Sequence, residues 1–170
     1  TLIAAVLNFL LAPSGTLMPL MVTEYFKAGV WQYSLLESMM GIGMVIGGIT
    51  LGAWGGFKSK ITTSLSGVVG LGLGILIFGL APANMIWIAI VGTAFVGFMN
   101  PIANGPLQAI MQSKVSPEIQ GRVMGTVSSV CTAMMPLSML VSAPVAELLG
   151  IRVWYLAGGI LTILIGLGAF

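Results

Sequence analysis

Long apolar runs, broken by short polar stretches, set the layout of this 170-residue chain. A helix needs ~20 mostly apolar residues to cross a bilayer. The first such length covers about 2–22 and stops at "TEYFKAG"; the second, about 32–54, stops before "KSK". The third, about 62–81, stops at "APAN", whose Pro and Asn signal a tight turn. The fourth, about 85–112, carries Pro101 and Pro106, the fifth covers about 122–145 and the sixth about 153–170. Period-two alternation is absent, which argues against a β-barrel. The pattern predicts an all-α, polytopic membrane protein with six transmembrane helices.

Composition points the same way. Hydrophobic residues make up 58% of the chain and charged residues 6%, against about a quarter charged in soluble domains. So few charges cannot clothe a soluble surface, so the lipid bilayer is the expected partner of most of it. A net charge of +2 gives no reason to expect nucleic acid. Cys131 is the only cysteine, cannot form an internal disulfide, and reads as a small apolar helix residue. The chain starts at Thr1 and enters an apolar run without a basic leader, which argues against a signal peptide and reads as a piece of a longer protein.

The sparse charges also orient the helices. Lys58, Lys60, Lys114 and Arg122 flank the loops after the second and fourth spans, whereas the opposite loops hold only Lys27 and Arg152. Short loops rich in Lys and Arg stay in the cytoplasm. With an even number of spans, both ends of the chain are then expected to be cytoplasmic. Tyr25, Phe26, Trp31, Tyr33, Trp87, Trp154 and Tyr155 fall at the predicted outer ends and read as an interfacial aromatic belt.

Small residues recur at close-packing intervals: Gly43 with Gly47, Gly48 with Gly52 and Gly56, Gly70 with Gly74. Such spacing lets helix backbones approach, either as a sliding interface or as static packing. Twelve methionines, Met39, Met40, Met134 and Met135 among them, supply soft surface that suits varied apolar ligands and equally fills a core.

Polar residues inside the spans are the candidate chemistry, because polarity within a membrane is costly unless it faces protein or water. Asn100, Asn104, Gln108 and Gln112 recur every four residues along one face of the fourth span. They would line a path for a substrate or hydrogen-bond a neighbouring helix. In the first span, Asn8 precedes "APSGT" (12–16), where Pro13, Ser14 and Gly15 favour a kink or a short unwound segment. Such breaks serve binding near the midplane or plain packing. Ser128, Ser129 and Thr132 are weaker candidates, since hydroxyls can bond their own helix.

Glu37 lies in the outer third of the second span, between "LL" and "SMMG". A carboxyl there reads as a proton-coupling or cation-recognition group, or as an interfacial Glu reaching headgroup water. Glu24 and Glu147 sit at outer ends and read as interfacial. The chain has neither His nor Asp, which removes an aspartyl dyad, a His-ligated metal and a Ser–His pair. No enzyme, metal or cofactor is therefore expected. A pore-forming or structural bundle is weakened by the lack of charged rings or a carbonyl-filter motif.

Three stretches carry a family resemblance. "VSPEIQGRVMG" (115–125) resembles the loop between the tenth and eleventh helices of major facilitator transporters, most of all the drug-exporter branch that includes macrolide efflux proteins. "YSLLESMMGIGMVIGG" (33–48) resembles the eighth helix of that branch, and "PLSMLVSAPVAELLG" (136–150) the eleventh. The loop "GAWGGFKSKIT" (52–62) keeps the family's glycine and basic residues but lacks its Asp. The resemblance implies a twelve-helix fold of which this chain is the C-terminal half, partnered by an N-terminal half. It implies secondary export of small hydrophobic or amphipathic compounds in exchange for protons, across the inner or plasma membrane. A lipid or siderophore carrier of the same fold would look much the same.

The "SPEIQGR" stretch is also expected to start a helix, with Ser116 as its cap, Pro117 first and Glu118 in the first turn. Glu118 and Arg122 stand four apart and can pair. This short helix is expected to lie across the membrane surface and turn into the bilayer at Gly121. Arg122 would then reach acidic groups or helix ends of the other half as a gate.

Overall fold

The computed structural model describes residues 2–114 and 116–169; Val115, which opens the "VSPEIQGRVMG" motif, lies outside them, as do Thr1 and Phe170. Its helices are α1 (Leu2–Thr16), α2 (Met18–Leu20), a π-helical turn (Met21–Tyr25), α3 (Val30–Trp54), α4 (Lys60–Leu80), α5 (Ile86–Lys114), α6 (Pro117–Leu149) and α7 (Ile151–Gly168). Among the described residues, six helical lengths are long and apolar enough to cross a membrane: Val6–Tyr25, Val30–Trp54, Lys60–Leu80, Ile86–Lys114, Glu118–Leu149 and Ile151–Gly168. The described residues contain no strand. The protein is a multi-pass, all-α membrane protein with the helix content of half a major facilitator fold.

The turns follow from local chemistry. Gly55 closes α3 in the left-handed region (φ 76°), its N–H donating to the Leu51 carbonyl at 2.8 Å. A side chain there would be strained, and glycine is not. The Ser59 hydroxyl accepts from the Thr62 N–H at 3.4 Å and starts α4. Gly150 alone links α6 to α7.

Lipid offers no hydrophobic force to press apolar helices together, so close backbone contact takes its place. Gly43 and Gly47 of α3 lie against the Ala94 and Phe98 backbone of α5, and Gly97 of α5 against Met40 of α3. The pairing of 43 with 94 and of 51 with 105 means that α3 and α5 run parallel. On its other side α5 runs antiparallel to α4: Gly67 abuts Ala103, Gly74 abuts Val96, and the Ser64 hydroxyl donates to the Ala103 carbonyl at 2.5 Å. Helix α7 packs antiparallel on α4 through Gly72, Gly79, Gly159 and Gly166. Helices α1 and α6 pack on each other and on α7.

Helix α4 is thus enclosed between α5 and α7, while of the described residues of α6 only Ser138 and Ser142 are buried. Gly48 and Gly52, spaced like the packed pairs, face open space, and Gly56 sits in the turn with φ 80°. One stretch of small residues on α3 is therefore used for packing and its neighbour is not.

Three of the aromatics expected in the belt are instead core residues: Phe26, 7% exposed, packs in the apolar cluster at the end of the bundle where α3 and α5 begin, and the other two open α7. Trp154 and Tyr155 are 7% and 2% exposed, because the first turn of α7 is wedged against α4 and α1. Arg152 fixes that wedge: it donates to the Gly79 carbonyl at 2.7 Å and the Leu80 carbonyl at 3.2 Å, and stands 5.8 Å from the Tyr25 ring centre. Its charge meets the negative end of α4 and satisfies carbonyls that lack a partner in their own helix. Trp31 and Trp87 do remain exposed.

The surface helix expected before Gly121 is absent. Helix α6 runs unbroken from Pro117 to Leu149 through Gly121. Its apolar stretch continues the helix that Pro117 starts, which carries Pro136 and Pro144 inside it and ends only at Gly150. Ser116 occupies the cap position, but its hydroxyl makes no capping bond.

Candidate functional site

The path of the first span decides the site. Pro13 is accommodated inside α1, and "APSGT" stays helical rather than unwinding. The interruption comes at Leu17, one turn later. Pro19 explains it, since it has no N–H for the Gly15 carbonyl one turn back and its ring crowds that carbonyl. Beyond it the helix widens, with the Phe26 N–H donating to the Met21 carbonyl at 3.1 Å and the Ala28 N–H to the Val22 carbonyl at 2.9 Å. The Tyr155 hydroxyl of α7 donates to the Ser14 carbonyl at 2.6 Å, securing the turn just before the interruption.

Beside this segment lies a cavity of about 210 Å³, bounded by α1 and α2 on one side and by α3, α4, α5 and α7 on the others. Its walls are largely apolar: Leu11, Met18, Met40, Leu71, Ile75, Phe78 and Val96. Its polar groups are Ser14, Thr93, Asn100 and Tyr155, and none of the described side chains lining it is charged. A larger apolar cluster that includes Met21, Phe26, Leu36, Phe78, Ala89 and Tyr155 packs the end of the bundle where α3 and α5 begin. A smaller one around Val68, Leu71 and Ala103 lies toward the other end.

Of the residues singled out from sequence, Ser14 and Asn100 come together on this cavity. Asn104 lies one turn beyond, exposed, donating to the Asn100 carbonyl at 3.1 Å and its side-chain oxygen at 3.4 Å. Gln108 is exposed further along the same face. The Gln112 carbonyl accepts from the Gln120 side chain at 3.0 Å, tying the end of α5 to the start of α6. Asn8 is not among the residues lining the cavity and donates to the Cys131 sulfur at 3.3 Å, a contact between α1 and α6.

Glu37 is exposed on α3, with Tyr33 interacting with it from one turn before. It does not line the cavity, but Met40, three residues on, does. Glu118 and Arg122 are exposed on the first turns of α6 and, among the described residues, form no ion pair with each other. Ser128, Ser129 and Thr132 are exposed further along α6. Sequence reasoning missed Tyr155, Thr93 and Phe78 as cavity residues. Tyr155 could not be told from an interfacial aromatic, and Thr93 and Phe78 lie in runs without any polar pattern.

No family model and no solved structure matches the chain. Curated relatives do. It is 31% identical over 166 residues to macrolide efflux protein A of Streptococcus pyogenes, covering 98% of this chain and 41% of that protein. It is 30% identical over 138 residues to macrolide efflux protein A of Enterococcus faecalis, covering 81% of this chain and 43% of that protein. It is also 28% identical over 132 residues to the multidrug efflux pump Tap of Mycolicibacterium fortuitum, covering 76% and 31%. The chain spans about two fifths of the length of the macrolide efflux relatives it matches. Six packed spans and a match that runs through nearly all of them make this chain a homologue of the bacterial macrolide and multidrug efflux proteins, equivalent to one half of a major-facilitator-like transporter.

Proposed function

We propose that this chain is the C-terminal half of a secondary exporter of apolar or amphipathic small molecules, seated in the inner or plasma membrane with both its ends cytoplasmic. The observation that carries the reading is the apolar cavity inside a bundle homologous to efflux proteins. Ligand sites are mostly apolar hollows with a few placed polar groups, and Ser14 and Asn100 supply such groups here. Asn104 and Gln108 extend the polar face of α5 away from the cavity as a continuing path. Asn8 contributes by holding α1 to α6.

Export against a gradient needs an energy source, and protons exchanged at Glu37 are the proposed one. Glu37 is the only carboxyl in the middle of an otherwise uncharged stretch of α3, one turn from a cavity-lining residue. Arg122, with Glu118 beside it, would contact the N-terminal half when the cytoplasmic side closes. Its planar guanidinium suits a two-point contact that lysine cannot reproduce.

The test is accumulation of a labelled macrolide in cells stripped of their own efflux pumps, with and without the full-length transporter. Lower accumulation, restored to control by a protonophore, is the expected outcome. Glu37→Gln should abolish the protonophore-sensitive difference, and Arg122→Lys should slow export at unchanged membrane abundance. Equal accumulation with and without the transporter would refute export. Export that persists in Glu37→Gln would remove the proton role from this residue.

A further inference from the structure

Among the described residues, Ser14 stands apart from the other buried hydroxyls of the spans. Ser38, Thr50, Thr93, Ser138 and Thr162 each donate to a carbonyl of their own helix, the usual solution for a hydroxyl in lipid. The Tyr155 hydroxyl, also on the cavity, is committed to the Ser14 carbonyl. The Ser14 hydroxyl is buried and has no partner. Within an apolar hollow, an unmet hydroxyl favours whatever brings it a hydrogen bond, because its water has been lost without compensation.

The rest of the cavity defines what can bring that bond. Met18 and Met40 face it from different helices, with Leu71, Ile75, Phe78 and Val96 between them. Soft thioethers and an aromatic ring suit a flat carbon skeleton. With no charged side chain among the described lining residues, a cation entering it would lose its hydration and find no counter-ion. The volume of about 210 Å³ exceeds the roughly 150 Å³ of an apolar cavity that takes benzene, leaving room for a substituted or fused ring.

We infer that this cavity is a subsite for an uncharged ring-bearing part of the substrate, and that the Ser14 hydroxyl selects a ring carrying a hydrogen-bonding oxygen over a plain hydrocarbon. This rests on the transport reading given above for the occupant's being a substrate. Ser14 is then a specificity-determining residue, and a cationic group on the same molecule must lie outside the hollow.

The experiment uses purified full-length transporter in lipid nanodiscs carrying the bound neutral fluorophore N-phenyl-1-naphthylamine. It is displaced in turn by 1-naphthol, naphthalene and 1-naphthylmethylamine, the last cationic at neutral pH. In the unmodified protein 1-naphthol should compete about fivefold better than naphthalene, the worth of one ordinary hydrogen bond, and the amine should compete worst. In Ser14→Ala the ratio of naphthol to naphthalene should fall to near one. Gly15→Leu should weaken all three, since Gly15 lines the cavity and a Cβ there meets no atom within 4 Å, so the longer side chain can extend into the hollow. A ratio unchanged in Ser14→Ala, an amine that competes best, or a Gly15→Leu protein that binds as before would each overturn the proposal. Macrolide accumulation in cells is measured in parallel. Export with an unchanged ratio sinks the subsite alone, whereas the expected ratios without export keep the subsite and sink the transport reading.

Discussion

Gly47 and Gly48 are adjacent in the chain and opposite in consequence. A methyl group at Gly47 would collide with the Phe98 carbonyl of α5, whereas one at Gly48 would meet nothing. A backbone carbonyl cannot rotate away as a side chain can, so the two helices themselves would have to part. Gly47→Ala is therefore expected to destabilise the full-length transporter by about 1–3 kcal/mol or more. Gly48→Ala should be neutral or stabilise by up to about 1 kcal/mol through helix propensity. Thermal unfolding of the two purified variants checks this, and equal melting temperatures would contradict it. Arg152 illustrates the same dependence on neighbours: a cation at the end of a span is held by the carbonyls of α4 rather than by headgroup water.

Helix α6 has 33 residues, which at about 1.5 Å each makes it much longer than a hydrocarbon layer of about 30 Å. The surplus lies at its polar start, where Glu118 and Arg122 are exposed and the half-buried Gln120 bonds back to Gln112 of α5. The two helices meet chiefly at this tip and then diverge, α5 to α3 and α4, α6 to α1 and α7. A rigid start to α6 would carry any force at Arg122 directly into the membrane part. Gly121→Ala tests that rigidity. No atom lies within 4 Å of the added methyl, so a continuous helix gains up to about 1 kcal/mol and export stays normal. A bend that works at Gly121 would instead show as impaired export at normal abundance.

For the bundle as a whole, the parallel course of α3 and α5 and the antiparallel course of α4 put the turns after α3 and after α5 at one end. Lys58, Lys60 and Lys114 gather there, which is the arrangement that sets orientation during insertion. Cysteines introduced as Ser59→Cys and Ser116→Cys, with Cys131 replaced by Ala, are expected to react with an impermeant maleimide only from the cytoplasmic side. Ala83→Cys, between α4 and α5, is expected to react only from outside. Labelling of Ser59→Cys and Ser116→Cys from different sides would break this topology.

The number of spans, the helical class, the turn at "APAN" and the end of the second span before "KSK" were legible in the chain, because each depends on a stretch shorter than one helix. Length and apolarity decide crossing, and sparse charges mark the ends. The candidate site was legible only in part. Ser14 and Asn100 stood out as polar residues in apolar runs, but their meeting on one cavity depends on Pro19 interrupting the first span and on Tyr155 holding it. Equal glycine spacing could not tell Gly43 and Gly47, pressed on α5, from Gly48 and Gly52, facing nothing in this half. Nor could an aromatic at the mouth of α7 be told from a belt residue. Periodicity says which residues share a helix face. Which face meets another helix, and so which hydroxyl is left without a partner, is settled by contacts between segments far apart in the chain.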